Sequence, residues 1–189
     1  MNGIKDRVAI IGMGCTKFGE RWEANAADLM VEAAYEAFDD AQVDQKDIQA
    51  AWLGTVSSFR TGQPLAEALK LDYIPITRVE NACATGSAAI YQGMDFIAAG
   101  RGKVVLVVGV EKMTDVPPPE ISRALLKASY LKEEAGVANG FAGVFAKITR
   151  DYFQQHGDQS DALATIAAKN HHNGCANPWA QLHKDLGFE

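Results

Sequence analysis

Apolar positions fall along the chain in two rhythms. Compact apolar runs occupy residues 7–12, 50–56, 76–80 and 103–110, while residues 26–41, 64–71 and 83–98 have helical spacing or composition. The first run, Arg7-Val8-Ala9-Ile10-Ile11-Gly12, is β-branched and stopped by glycine, which predicts a strand buried on both faces. In residues 26–41, Leu29, Ala33, Ala37 and Ala41, with Met30, Ala34 and Phe38 beside them, recur at helical intervals, and Glu32, Glu36 and Asp39 fall elsewhere. That pattern is an amphipathic helix covering a sheet. Strands alternating with helices predict an α/β fold, a mostly parallel sheet with covering helices.

The rhythm changes after Met113. Pro117-Pro118-Pro119 interrupts the chain, and residues 120–133, 141–156 and 161–171 read as helices, with no further convincing strand. The division predicted is an α/β core at residues 1–116, carrying the helix that begins at Cys83, and a helical region at residues 117–189. There is no internal repeat, and Leu186-Gly187-Phe188-Glu189 reads as an abrupt end without a terminating element.

Composition narrows the function classes. Hydrophobic residues are 48% and charged residues 22% of 189, which is globular and leaves no room for a disordered or fibrous chain. With 18 Lys+Arg against 24 Asp+Glu the net charge is −6, and no basic cluster is interleaved with aromatics, so nucleic acid is not an expected partner. The longest apolar stretch, at residues 104–110, is far short of a membrane span, and Met1-Asn2-Gly3-Ile4-Lys5-Asp6 lacks the order of a secretory signal. The expected location is cytoplasmic. Cys15, Cys83 and Cys175 are odd in number and widely spaced, which suits single reduced thiols.

Gly12-Met13-Gly14 directly after an apolar run invites a dinucleotide-binding reading. Lys17 holds the place of the third glycine, where a large side chain would spoil strand–helix packing and block backbone approach to a pyrophosphate. A glycine turn leaving the sheet is the better reading.

The chemistry concentrates at Val79-Glu80-Asn81-Ala82-Cys83-Ala84-Thr85-Gly86-Ser87. A strand ends at Glu80 and a helix begins close to Cys83, so the thiol would meet outward-pointing amide hydrogens and the positive end of the macrodipole, a setting that favours an anionic nucleophile. The Cys83 amide could also serve as one donor of an oxyanion hole. Behind it the helix is built of small residues, with Asp95 its one charge before Ala99; Gly86 and Gly93 each cost ~1 kcal/mol relative to alanine. Such a helix can be closely packed on several sides, as between two sheets. The residues alone leave two readings of Cys83 open, an inert packed thiol or a nucleophile.

Asn81-Ala82-Cys83-Ala84-Thr85-Gly86-Ser87 resembles the nucleophile segment of the thiolases, and Gly109-Val110-Glu111-Lys112-Met113-Thr114 resembles that family's Gly-x-Glu-x-Met-Ser/Thr strand end. Thr16-Lys17-Phe18-Gly19-Glu20, Lys169-Asn170-His171-His172-Asn173-Gly174 and Asn177-Pro178-Trp179-Ala180-Gln181 are similar to the branch of sterol-carrier-protein-type thiolases and archaeal acetoacetyl-CoA thiolases. The resemblance covers nearly the whole chain. It implies a thiolase-like N-terminal half with a helical loop region, in which Cys83 takes an acyl group from acyl-CoA or 3-oxoacyl-CoA as a thioester, in carbon–carbon cleavage or Claisen condensation. It implies an enzyme of the acetyl-CoA acetyltransferase or 3-oxoacyl-CoA thiolase type, no metal, and no tightly bound cofactor, coenzyme A thioester being the substrate.

Thiolases resembled here are about twice as long. Their second half carries a Gly-His-Pro histidine and a second Cys-Gly segment that act as bases, and this sequence has neither: His156, His171, His172 and His183 lie outside any Gly-His-Pro, and Cys175 matches no catalytic cysteine. The resemblance therefore implies the N-terminal half alone, as a fragment, a split subunit or a degenerate homologue. A complementary half or a homo-oligomer is the expected partner, with a small zinc-ribbon and OB-fold subunit as a further one. Two alternatives stand beside the acyltransferase: a non-catalytic subunit keeping the fold, and a carbon–carbon lyase acting on a CoA thioester. Among other candidates, neighbouring His171 and His172 diverge on a helix and suit a structural role better than zinc. Cys15 reads as packed beside the sheet, and Phe141, Phe145 and Ile148 as helix core or pocket wall. Arg60, Arg101 and Lys103 carry nothing that distinguishes a CoA-phosphate site from surface charge.

Overall fold

A computed structural model describes residues 3–187, so readings that fall on Met1, Asn2, Phe188 and Glu189 lie outside the described residues. The chain forms two compact units, one from the residues up to Thr16 with Arg21–Val116, the other from Lys17–Glu20 with the chain from Pro117 onward.

The first unit is a parallel sheet between helices. Strands β1 (Ala50–Gly54), β2 (Ile76–Val79) and β3 (Val105–Gly109) lie in the order β2-β1-β3, with Trp52 opposite Thr77 on one side and Val107 on the other. All five residues of β1 are buried, as a central strand covered on both faces requires. The two-residue side-chain period sorts them: Ala51 and Leu53 join Met30, Ala34 and Phe38 of α1 (Ala26–Ala41) and Leu65 and Leu69 of α2 (Gln63–Leu69), whereas Ala50 and Trp52 join Ala89 and Phe96 of α3 (Thr85–Ala98). Trp52 also packs edge-on against Phe96, with ring centroids 5.4 Å apart, and donates its indole N–H to Gln92 at 3.1 Å.

The glycines of α3 divide. A Cβ at Gly93 would stand 3.3 Å from Val107 and 3.4 Å from Val105, so its absence lets the helix approach the sheet. Nothing in the structure explains Gly86 in the same way. One side of α3 is buried, at Thr85, Ala89, Gly93 and Phe96, while Ile90 and Tyr91 face outward and are exposed.

Helix α1 starts where its sequence dictates. The Asn25 side chain accepts from the amides of Ala27 at 2.8 Å and Asp28 at 3.0 Å, and Asp28 accepts from the Asn25 amide at 2.9 Å, a reciprocal capping box. Asn25→Ala is expected to cost ~1 kcal/mol, seen as a lower urea midpoint with an unchanged slope.

Several expectations are corrected. Residues 7–12 form no strand among the described residues, and Ile10 and Ile11 are 71% and 57% exposed. The local backbone is drawn to α1 instead: the amides of Met13 and Cys15 donate to the carboxylates of Asp40 at 2.9 Å and Glu36 at 2.7 Å. Gly12 and Gly14 permit this, since a Cβ there would meet the carbonyl oxygens of Ala37 at 2.4 Å and Ala33 at 2.0 Å. The helix expected from Cys83 begins instead at Thr85, after a 3₁₀ turn at Ala82–Ala84.

In the second unit the helix expected over residues 120–133 is two, α4 (Pro118–Leu126) and α5 (Leu131–Glu134). Ser129 breaks it by donating its hydroxyl back to the Leu126 carbonyl at 2.6 Å. Helices α6 (Gly140–His156) and α7 (Ser160–Gly174) follow, and α4 packs on α6. The core reading of the α6 aromatic set fails: Val144 is the buried residue of that helix, whereas Phe145 and Ile148 are 65% and 54% exposed.

Candidate active site

The three parallel strands deliver their C-terminal ends to one edge of the sheet, the place where open α/β sheets assemble binding sites. Cys83 follows β2 there. Ala82, just before it, has φ +46°, a left-handed conformation that costs a non-glycine residue of order 1 kcal/mol and needs local support. The support is visible. The Ala82 amide donates to the Glu80 carboxylate at 2.6 Å, the Thr85 hydroxyl donates to the Ala82 carbonyl at 2.6 Å, and the same hydroxyl accepts from the Asn81 amide at 2.8 Å. These bonds close a sharp turn that leaves the Cys83 thiol exposed.

Beside this turn lies a loop that no motif in the sequence marks, running from Thr55 after β1. Glu111, two residues past β3, accepts from the amides of Val56 at 2.7 Å, Ser57 at 2.9 Å and Ser58 at 3.3 Å, and from the hydroxyls of Ser57 at 2.7 Å and Thr55. The loop's acceptors are met from β2: the Arg78 guanidinium donates to the carbonyls of Thr55 at 2.8 Å, Val56 at 3.0 Å and Phe59 at 2.9 Å. Lys112, buried, donates its amide to the Ser58 hydroxyl at 3.0 Å and its ammonium to Asp115 at 3.1 Å and to Thr114. Its ammonium also lies 5.9 Å from the centroid of the Trp22 ring. The local signal for this network was a carboxylate and a lysine in succession at the end of an apolar strand, matched with hydroxyl residues at the end of another.

Partial desolvation pushes the Glu111 carboxyl up, but the donors of Thr55, Ser57 and Ser58 outweigh it and hold the group below its ordinary value of 4.5. A carboxylate with a lowered folded pKa stabilises the fold above its ordinary value, and that contribution is lost as the pH falls through the folded value. The urea midpoint is therefore expected to fall on acidification below about pH 4.5 and to do so less steeply in Glu111→Gln.

Over residues 8–186 the sequence matches the family described as thiolase, N-terminal domain. The chain belongs to the thiolase family. It is 36% identical over 188 residues to an acetyl-CoA acetyltransferase of Methanothermobacter thermautotrophicus, a match covering 96% of this chain and 49% of the relative. The acetyl-CoA acetyltransferase of Methanocaldococcus jannaschii is 40% identical over 181 residues, covering 93% and 46%, and human sterol carrier protein 2 is 30% identical over 198 residues, covering 97% and 36%. The chain thus spans about half the length, or less, of the curated relatives it matches. Among solved structures it resembles the Ltp2-ChsH2(DUF35) aldolase, with a TM-score of 0.74 at 19% identity over 95% of this chain and 47% of that one. It also resembles the acetyl-CoA acetyltransferase of Syntrophomonas wolfei, with a TM-score of 0.61 at 21% identity over 88% and 47%. The expected α/β thiolase fold is borne out.

The thiolase segments read from the sequence take definite places. Asn81–Ser87 forms the strained turn and the first residues of α3, and Glu111 of the Gly-x-Glu-x-Met segment grips the neighbouring loop. Phe18 and Trp179, from two other segments, meet within the second unit through an amide-to-carbonyl bond of 2.9 Å. His171 and His172 lie on α7 and turn to the chain after it, their Nδ1 atoms 3.2 Å from the Lys184 carbonyl and 2.9 Å from Asp185. The Arg101 guanidinium stacks over Phe96 at 4.7 Å from the ring centroid. Cys15 is exposed rather than packed, as is Cys175. No helix among the described residues is long and apolar enough to cross a membrane.

Proposed function

We propose that this chain is the acyl-accepting half of a thiolase-type acyltransferase, with Cys83 as its nucleophile. The observation that carries the reading is an exposed thiol set by a strained, hydrogen-bonded turn at the C-terminal edge of the sheet, in a member of the thiolase family. The Cys83 sulfur attacks the carbonyl carbon of an acyl-CoA, a carbon–sulfur bond forms, and the CoA sulfur leaves with the proton the cysteine gave up. With a 3-oxoacyl-CoA the attack falls on the keto carbon. The bond between the α and β carbons breaks, and the departing CoA-bound carbanion takes a proton to become acetyl-CoA. An amide of the turn, that of Cys83, serves as an oxyanion donor during both attacks.

Carbanion formation needs a positioned base, and the bases implied by the family resemblance belong to a second half. The working enzyme is accordingly this chain with a complementary half or as an oligomer, covering the exposed Ile90 and Tyr91 of α3, and a small zinc-ribbon and OB-fold subunit is a further partner implied by the resemblance. No tightly bound cofactor takes part. Incubation of the 189-residue chain with acetyl-CoA, followed by proteolysis and mass spectrometry, is expected to find one acetyl group on the peptide containing Cys83. Acetylation spread over all three cysteines, or on none, would overturn the proposal.

A further inference from the structure

We infer that Glu111 is a positioning residue for acyl transfer at Cys83, acting through the loop at residues 55–58. The inference rests on the reading of Cys83 as the acyl-accepting thiol.

The loop is held from two strands at once. Its donors, three amides and two hydroxyls, converge on the Glu111 carboxylate beyond β3, and the carbonyls of Thr55, Val56 and the adjoining Phe59 converge on the Arg78 guanidinium of β2. One carboxylate receiving five donors exceeds what a loop needs merely to stay hydrated, since exposed amides are served equally well by water. The arrangement spends a charged group on fixing one loop conformation.

That conformation abuts the nucleophile turn at two points. The Thr55 amide donates to the carbonyl of Val79, the last residue of β2, at 3.2 Å. Thr85, whose hydroxyl closes the turn at Asn81 and Ala82, stands 3.1 Å from where a Cβ of Gly54 would be, immediately before the loop. Thr55 is itself buried, with its hydroxyl shared between Glu111 and the Ser58 amide. A change at Glu111 therefore shifts Thr55, and Thr55 adjoins both the strand that leads into Cys83 and the residue that closes its turn. Acyl transfer is sensitive to such a shift because the attacking sulfur and the oxyanion donor must be aligned to within a fraction of an ångström, whereas alkylation by a small freely diffusing reagent is not.

The test compares wild type, Glu111→Gln and Ser57→Ala in the 189-residue chain by two rates, acetylation of Cys83 across a range of acetyl-CoA concentrations and alkylation of Cys83 by iodoacetamide. Glu111→Gln is expected to lower the saturating acetylation rate ~10–100-fold, with the half-saturating acetyl-CoA concentration and the alkylation rate changed by less than about threefold. Ser57→Ala, which keeps the carboxylate and removes one donor, is expected to lower acetylation about threefold, and it reads the same loop if Glu111→Gln does not fold. Acetylation within twofold of wild type in the folded variants overturns the role of Glu111 while leaving Cys83 as nucleophile. Parallel loss of acetylation and alkylation assigns Glu111 a structural role only and also overturns the inference. Absence of acetylation from wild-type Cys83 removes the nucleophile reading and this one with it.

Discussion

Cys83→Ala is expected to abolish the acetyl-enzyme, lowering its rate of formation by more than ~10⁴-fold, while Cys15→Ala and Cys175→Ala leave it within about twofold. Solvent access does not produce this contrast, because all three thiols are exposed. Local backbone does. Cys83 follows a left-handed alanine and sits in the 3₁₀ turn that runs into α3, the setting in which the proposed function has a turn amide serve the oxyanion. The thiol of Cys15, by contrast, points its hydrogen to the carbonyl of Thr16 at 3.4 Å. Iodoacetamide near neutral pH should therefore label Cys83 well ahead of the other two, and acetyl-CoA should protect it. Equal labelling of the three, unprotected by the thioester, would leave no tuned nucleophile in the chain.

Leu53→Ala is expected to have the largest effect on stability, ~3 kcal/mol, equivalent to a fall in melting temperature of roughly 10 °C. Leu53 is fully buried in the central strand, against α1 and α2 on the face opposite α3. Truncation there leaves a cavity bounded by the backbone of three paired strands, which cannot collapse to fill it without breaking the ladder. A shift of less than about 1 kcal/mol in chemical denaturation would mean that this face of the sheet is less tightly packed than its burial indicates.

The parts of this fold that were legible in the sequence are those whose pattern is local. Helix α1 has its apolar stripe within one continuous segment, and β1, β2 and β3 are short apolar runs bounded by turn residues. The turn at Cys83 was legible for the same reason, since its small residues and its cysteine are contiguous. Residues 7–12 show where local pattern misleads. Their β-branched run has strand propensity, but Gly12 and Gly14 let the backbone settle on α1, where Asp40 and Glu36 take the amides of Met13 and Cys15 just past the run. Phe145 and Ile148 likewise have helical spacing without the burial that spacing leads one to expect, because periodicity gives a face and not what lies against it. The Glu111 network shows only its two ends in the sequence, not the link between them, for a different reason. Its bond to Thr55 joins residues 56 positions apart, and a carboxylate meeting hydroxyls and amides from another strand end leaves no period in the sequence.

The strand order has a consequence for how the chain comes off the ribosome. Of the three described strands the central one is synthesised first: Ala51 of β1 pairs with Ile76 on one edge and Leu106 on the other, so both partners are made after it. Until then β1 has α1 to cover Ala51 and Leu53, but its two edges are unmatched and Ala50 and Trp52 wait for α3, a template for pairing with any neighbouring nascent chain. The sheet grows outward from its middle, β2 closing one edge and β3 the other, and Glu111 emerges only after β3 is complete. Ribosomes that pause between Val79 and Val105 would thus present a half-edged sheet, and holdase chaperones should be drawn to chains halted in that interval more than to chains released past Glu111.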